Sequence, residues 1–406
     1  MLPMVRSNLM KDLYGKEEFD IGLIFSIGCG ENGEEEMIVH HVSLLSTLED
    51  EKSRKGFSNV SSEWFQQQIQ IAHQSLTGNV NISGMYLRDS TFKVKERLND
   101  VIALYMRSVE EVSDRSSHVD TANQRYFINL QNDSQEIYVF ENGKFKTDVV
   151  TSLKENNIDE IKQYIAIIPF YKTFRVAKSI DVLLDEVEGK LQDDFDKNYL
   201  WKINKKNNRI ECFLNTTTSY QSEEKKLQDE TELVDVTLRG TLSGTVLTVS
   251  NQSLSDDTLI KKMKSDIIHG LLTRIAFDED AITKSISGTS MEKTLLNRFY
   301  VVDSQSQIVY GDYAEDEKEI GIVDALPSLI GDRSKINVVI AEKEGEIVKT
   351  TINKDEEEKP IKAEARTNTS STTQATTASS DSAFGWFFSF LAFILALFGV
   401  KKTVNQ

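Results

Sequence analysis

The spacing of apolar residues predicts three amphipathic helices. Between Phe65 and Leu76 the apolar side chains recur at intervals of 4, 3 and 4, which places them on one helix face, and Gly78 follows as a stop signal. Apolar stripes with helical spacing recur twice further along the chain. The predicted helices are 61–76, 91–112 and 257–277, the last capped by Asp256 or Asp257.

Shorter apolar or alternating runs, bounded by turn residues, predict the strands. They fall at 19–27, 37–45, 80–87, 125–130, 136–140, 164–170, 209–214, 233–238, 245–250, 299–303, 307–310 and 336–341. We expect 125–130 and 136–140 to pair as a hairpin, and Pro169 to fray its strand. The predicted fold class is mixed α/β, with two globular domains at 1–190 and 195–350, the second richer in β structure.

Residues 353–383 have the composition of a polar linker. A charge run at 354–359 and Pro360 give way to Ser, Thr, Ala, Asn and Gln between 367 and 382. Such a segment buries too little apolar surface to offset its ordering entropy, so we expect it to be disordered. As a flexible chain it has a mean span of roughly 30 Å, which suits a tether.

Residues 384–400 form an apolar run without an ionisable side chain and predict one transmembrane helix. With Ala383 the run has 18 residues, about 27 Å of helix, enough for a thin bilayer core. Trp386 stands near the upstream edge, where an indole favours the interface. The expected membrane-anchoring residues are Phe384, Trp386, Phe387, Phe388, Phe390, Leu391, Phe393, Ile394, Leu395, Leu397, Phe398 and Val400.

The position of this run predicts a tail anchor with the body in the cytosol. No apolar signal-peptide core precedes the body, and only a short tail, 401–406, follows the run. Lys401 and Lys402 point the other way, because basic residues prefer the cytoplasmic side, but we give the missing signal peptide more weight.

The charge balance limits the possible partners. The chain has 64 acidic and 47 basic residues and a formal charge of −17, so its body repels nucleic acid and anionic headgroups. Contact with a membrane is therefore expected from the anchor alone. Only two cysteines occur, Cys29 and Cys212, which fits a reducing compartment.

The segment Gly28–Gly33 has the form GxGxxG but lacks the context of a dinucleotide site. That site needs a following helix whose amides meet phosphate, whereas three glutamates and a strand follow here. We interpret Asn32 and Gly33 as a hairpin turn.

No catalytic, cofactor-binding or metal-binding residues are expected in this chain. Cys29 lies at an acidic turn, which raises a thiol pKa and opposes a nucleophilic role. His40 and His41 are neighbours on a strand, so their side chains point to opposite faces and cannot share one metal. The sequence has no GxSxG, P-loop or basic aromatic-rich patch, which favours a binding protein over an enzyme.

Three stretches together resemble the ODR-4-like (odorant response abnormal) family. They are 60–86 (VSSEWFQQQIQIAHQSLTGNVNISGMY), 238–277, which opens LRGTLSGTVLTVS and continues into a helix, and 296–313 (LNRFYVVDSQSQIVYGDY). The linker and the anchor complete the same order. The resemblance implies an endoplasmic-reticulum protein of sensory neurons that assists folding, maturation and delivery of odorant and other G-protein-coupled receptors to cilia. It also implies a partner related to the protease that cleaves the ubiquitin-fold modifier.

The first domain further resembles the zinc-dependent (MPN-type) deubiquitinase fold. That class carries a metal-binding His-x-His just after the strand that corresponds to 80–86, whereas this chain has Leu87, Arg88, Asp89 and Ser90 there. The resemblance therefore implies a catalytically dead domain used for pairing, without cofactors.

The resulting expectation is a non-enzymatic membrane adaptor that recruits a soluble partner to receptors at the endoplasmic reticulum. Two alternatives remain open: a membrane-attached hydrolase that uses Cys29, and a tail-anchored adaptor of the mitochondrial outer membrane.

Overall fold

The structure is a computed structural model, and it describes seventeen segments of the chain. They are 4–6, 18–32, 35–44, 56–89, 94–113, 124–131, 134–141, 144–150, 154–156, 161–177, 179–214, 233–249, 254–278, 282–283, 290–303, 307–314 and 336–340. All of them belong to one compact unit, Met1–Thr350. The predicted linker and anchor lie outside the described residues.

Helices and strands are mixed along the described chain, which confirms the predicted α/β class. The strands are β1 (Met4–Arg6), β2 (Phe19–Cys29), β3 (Glu35–Ser43), β4 (Val80–Asp89), β5 (Gln124–Gln131), β6 (Ser134–Glu141), β7 (Lys144–Val150), β8 (Lys154–Asn156), β9 (Ile161–Ala177), β10 (Tyr199–Asn204), β11 (Arg209–Leu214), β12 (Leu233–Val249), β13 (Ser290–Thr294), β14 (Asn297–Asp303), β15 (Val309–Ala314) and β16 (Ile336–Ile340). The helices are α1 (Ser62–Ser75), α2 (Val94–Ser113), α3 (Ile180–Lys197) and α4 (Asp256–Phe277).

The first sheet has eight strands in the order β7-β6-β5-β4-β2-β3-β1-β8. The predicted hairpin is confirmed, because β5 and β6 pair antiparallel from Gln124 opposite Glu141 to Gln131 opposite Ser134. α1 packs against α2, β4 and β15, and its buried residues Phe65, Ile69 and Ala72 belong to the first core. The predicted stripe of this helix is thus its core face.

The second sheet, β10-β11-β9-β12-β13, is built on two seventeen-residue strands, β9 and β12, which pair antiparallel along their whole length. α4 packs on β12, and α3 packs on β9 and β10. These helices and the sheet enclose a second core. A third sheet has the order β15-β14-β16.

Strand pairing crosses the predicted domain boundary near residue 190. β9 precedes that boundary and pairs with β12, which follows it, and the boundary itself falls within α3. The second sheet therefore draws on both sides of the predicted division.

Two predicted breaks in the second sheet are wrong. The strands predicted at 233–238 and 245–250 are one strand, β12, which continues through Gly240 and Gly244 because β9 pairs with every residue of it. Pro169 does not end its strand either. It lies opposite Thr241 in mid-strand, where the neighbouring pairs hold the backbone although proline lacks an amide donor.

Two further differences concern helices. The cap of α4 is Ser255, not Asp256 or Asp257, because the Ser255 Oγ accepts a hydrogen bond from the Thr258 amide at 3.2 Å. α3 was not predicted at all. Its buried residues recur every fourth position on an acidic helix: Leu183, Val187, Leu191 and Phe195.

Candidate functional site

The glycine motif at 28–33 begins in the last two residues of a strand, and a second strand follows it, as predicted, instead of a helix. β2 ends at Cys29, β3 begins at Glu35, and the two strands are antiparallel. Gly30 has a φ of 75°, a left-handed conformation that glycine adopts without a steric cost. The motif is thus a hairpin turn, with no helix N-terminus behind it to receive a phosphate.

This turn contacts the beginning of α4. The Glu31 carbonyl accepts hydrogen bonds from the Ser255 amide at 3.0 Å and from the Thr258 hydroxyl at 3.1 Å. Ser255 therefore caps the helix with its side chain and holds the turn with its backbone. The turn has a structural partner in the second half of the chain.

Cys29 is unsuited to nucleophilic chemistry at neutral pH. Its side chain is fully buried, and its Sγ donates a hydrogen bond to the Glu35 carbonyl at 3.4 Å. Burial, and then the nearby charges of Glu35 and Glu36, raises the pKa of the Cys29 thiol to about 12. The predicted rise in this pKa is confirmed, and the thiol stays protonated.

His40 and His41 contact different aromatic side chains of the first sheet. The His40 ring stacks on Phe25 of the first core at 6.1 Å, and the His41 ring meets the edge of Tyr86 in a separate cluster at 5.7 Å. The two imidazole rings are nevertheless only 5.9 Å apart, beside a register shift in the β2–β3 ladder, so the predicted placement on opposite faces is not confirmed. Over the described ranges, no group of three or more His, Cys, Asp and Glu side chains is placed to hold a metal.

The end of β4 is the position at which the resemblance to the MPN-type class would require metal ligands. Leu87 is buried in the first core, and the Asp89 carboxylate accepts a hydrogen bond from the Phe57 amide at 2.9 Å. Asp89 therefore fixes the 3-10 turn Phe57–Asn59 that leads towards α1. This is a structural contact.

The most concentrated polar site among the described residues is a buried ion pair between Asp266 of α4 and Arg298 of β14. Arg298 donates to the two Asp266 carboxylate oxygens at 2.9 and 3.1 Å, and both side chains are almost completely shielded from solvent. Such a fork of parallel hydrogen bonds is the strongest geometry of an arginine–carboxylate pair.

Backbone groups complete the coordination of this ion pair. The Asp266 carboxylate also accepts from the Gly78 amide at 2.7 Å and from the Thr245 amide at 2.8 Å. Arg298 donates further to the Ser243 carbonyl at 3.0 Å. The pair thus holds together α4, β12, β14 and the loop that follows α1.

Aromatic rings flank the guanidinium group of Arg298. It lies 5.1 Å from the ring centre of Tyr300 and 5.7 Å from that of Tyr313. Burial alone would lower the pKa of Arg298, but Asp266 and the two tyrosines outweigh burial and hold that pKa well above its usual value. The arginine therefore remains charged in its buried position.

The loop between α1 and β4 is shaped to reach the ion pair. Gly78 has a φ of 70°, and a Cβ atom there would come within 2.8 Å of the Thr245 carbonyl. On either side of it, Thr77 donates to the Val309 carbonyl at 2.7 Å and Asn79 accepts from the Leu247 amide at 2.9 Å. This loop connects the first half of the fold to the second.

The contacts of this site are structural, because they connect separate elements of the fold. The carboxylate of Asp266 is fully used by its donors, and the surroundings of Arg298 are closed by protein. Neither residue was predicted from the sequence as part of a site. One signal for Asp266 is present in the sequence: it stands next to Ile267, which lies on the apolar stripe of the predicted third helix. A charged side chain buried at such a position requires a buried partner.

None of the predicted anchor residues, Phe384 to Val400, lies among the described residues. In the part of the chain that the structure describes, every helix is too short or too polar to cross a bilayer.

Comparison with known proteins gives limited similarity. Neither a protein-family model nor a curated protein matches the chain. Eight solved chains match it, and they include a crystal structure of UfSP from C. elegans with 9% sequence identity and a TM-score of 0.31. The match covers 81% of this chain and 56% of that one, so this chain spans a little over half the length of that protein.

Proposed function

We propose that this protein is a non-enzymatic adaptor of the endoplasmic-reticulum membrane, related to the ODR-4-like family. It is anchored through 384–400 and promotes folding, maturation and delivery of odorant and other G-protein-coupled receptors to sensory cilia. It does so by recruiting a soluble partner related to the ubiquitin-fold-modifier protease. The first half of the body acts as a catalytically dead MPN-type domain.

The observation that carries this proposal is the uncharged apolar run 384–400 behind a polar linker. The run is about as long as a thin bilayer core requires, and burying its aromatic and aliphatic side chains in lipid is strongly favourable. The linker lets the acidic body move within roughly 30 Å of its attachment point. Anchoring raises the local concentration of a bound partner near receptors without new chemistry.

Two observations support a role without catalysis. The thiol of Cys29 has a pKa of about 12 and is fully buried, so the hydrolase alternative lacks an activated nucleophile at this position. Leu87 and Asp89, at the place of the metal-binding histidines, form core and backbone contacts. The residues at both positions take part in core packing or hydrogen bonding within the fold.

The test is removal of the anchor. We expect a chain lacking 384–406 to leave the membrane fraction and to lose receptor delivery to cilia, because the partner is no longer concentrated at the membrane. A matched control replaces 384–400 with an unrelated anchor of equal length for the same membrane, which should restore delivery. Normal delivery by the anchorless chain would refute the adaptor role.

Two additional measurements address the alternatives. Cys29→Ala should leave receptor delivery unchanged, and loss of delivery by a folded, anchored Cys29→Ala protein would favour the hydrolase. Imaging of the chain tagged at its N-terminus should show the endoplasmic reticulum, whereas a mitochondrial outline would favour the second alternative.

A further inference from the structure

The described residues cover the outer face of the second sheet, which is the face away from α3 and α4, over only half of its length. At one end Leu247, Val249 and Ile161 pack into the first core, and Ser243 and Thr245 are completely buried. β12 is accordingly buried at every position from 242 to 249. From 233 to 238 buried side chains alternate with exposed or partly exposed ones, which is the pattern of a strand with one face covered.

The other half, here called the open half-face, carries an apolar strip. It consists of Ile167 and Tyr171 of β9, Leu200 of β10 and Phe213 of β11. Leu200 lies directly opposite Phe213, and these side chains are 64% and 50% exposed, while Tyr171 is 72% exposed. Large apolar side chains gathered on one open sheet face mark an interaction surface.

Charges of both signs border the apolar strip on the open half-face. Arg175 lies 3.5 Å from Asp235, and Arg239 lies 3.0 Å from Glu292. Each acidic group here thus has a basic neighbour, although the chain as a whole carries a charge of −17. A second acidic protein meets less repulsion at such a face than at an acidic surface.

We propose that the open half-face binds the open half-face of a second copy of this chain, forming a twofold-symmetric dimer. A contact between identical patches must be self-complementary, and this patch has an apolar centre with both signs of charge beside it. Two sheets packed face to face bury side chains in a layer about 10 Å thick, the usual cover for a one-sided sheet. The dimer is independent of the adaptor role.

The size of the open half-face is sufficient for such a dimer. Five strands at about 4.8 Å spacing, with five to eleven residues each in this half at about 3.3 Å, give a footprint of roughly 600 Å². Two copies then bury about 1,200 Å², the lower limit for a specific interface. We therefore expect a reversible dimer.

The experiment measures self-association of the full chain in density-matched detergent by sedimentation over a range of concentrations. The wild-type protein should form dimers, and Tyr171→Asp should weaken association about 30-fold or more, since it places a charge in the apolar centre. The matched control is Val182→Asp on α3, where the exposed valine lies on the opposite side of the sheet. It should associate like the wild type.

A crosslinking measurement decides the question if Tyr171→Asp fails to fold. Thr173→Cys, beside the apolar strip, should be joined between copies in isolated membranes by a bismaleimide crosslinker that spans about 10 Å, whereas Gln192→Cys on the exposed side of α3 should not. A wild-type protein that stays monomeric at every concentration would overturn the proposal. So would a Tyr171→Asp dimer as strong as the wild type, or equal crosslinking at the two positions.

Discussion

At the scale of single residues, the buried pair Asp266–Arg298 shows what a charge needs inside a protein. A carboxylate without water must recover its solvation from hydrogen bonds, and Asp266 recovers it from one guanidinium and two amides. The guanidinium group of Arg298 is stabilised in addition by the rings of Tyr300 and Tyr313. Removing one partner leaves the other charged and buried.

We therefore expect Asp266→Ala to lower the free energy of unfolding by about 3–5 kcal/mol, because Arg298 then lacks its counter-charge. Urea unfolding of the detergent-solubilised full chain measures the change. The matched control is Asp235→Ala, which breaks an exposed ion pair with Arg175 and should cost no more than about 1 kcal/mol. Equal losses in the two variants would contradict the role of burial.

Single residues also differ in how far the sequence reveals them. The direction of the Cys29 pKa shift could be predicted from the glutamates within seven positions, although burial by the fold is the larger cause of the rise. The partners of Asp266 could not, because Gly78 is 188 positions away and Arg298 is 32 positions away. Local charge is visible in the sequence, whereas a contact across the fold depends on topology.

At the scale of elements, close backbone approach decides which strands can pair. β4 and β5 are parallel neighbours, and Gly84 lies opposite Tyr126. A Cβ atom at Gly84 would collide with the Tyr126 carbonyl, which is rigid backbone within a ladder. Gly189 in α3 is the opposite case, since a Cβ atom there would meet nothing.

Gly84→Ala should therefore destabilise the protein by about 3 kcal/mol, because β4 and β5 must separate to admit the methyl group. Gly189→Ala is its control and should stabilise the protein by about 0.5–1 kcal/mol, since alanine favours a helix interior. Thermal or urea unfolding compares the two. A neutral Gly84→Ala would show that the two strands can shift without loss.

Helices with a clear spacing of apolar residues were predicted to within a few residues, and a helix whose spacing is obscured by charged residues was missed. The helix predicted at 61–76 is α1 at Ser62–Ser75, since its apolar stripe and Gly78 are both local signals. α3 was missed because its core positions stand among many acidic residues around Gly189, which hide a regular four-residue spacing.

At the scale of the whole molecule, a pair of histidines joins the two halves of the fold. His73 of α1 and His269 of α4 meet edge to face with their ring centres 5.3 Å apart. Burial, and then the neighbouring His269, lowers the pKa of His73 to about 3. The folded protein thus keeps His73 neutral at a pH where an unfolded chain protonates it.

The direction in which stability changes with pH follows from proton binding. Below the unfolded pKa of about 6.5 the unfolded state binds a proton that the folded state does not bind. The free energy of unfolding therefore decreases as the pH is lowered from about 6.5 to about 3. One such group contributes a slope of up to about 1.4 kcal/mol per pH unit. We expect His73→Gln to flatten the curve of unfolding free energy between pH 6.5 and pH 4.5. Parallel curves for the two proteins would contradict it.

The α/β class, the first-sheet hairpins and three of the four described helices could be predicted without the structure, because they follow from residues close along the chain. Three further points depend on the fold: β12 is one strand, Asp266 meets Arg298, and the described residues leave half of one sheet face uncovered. These depend on which distant segments become neighbours. A local pattern shows that a residue is suited to burial, whereas topology determines what buries it.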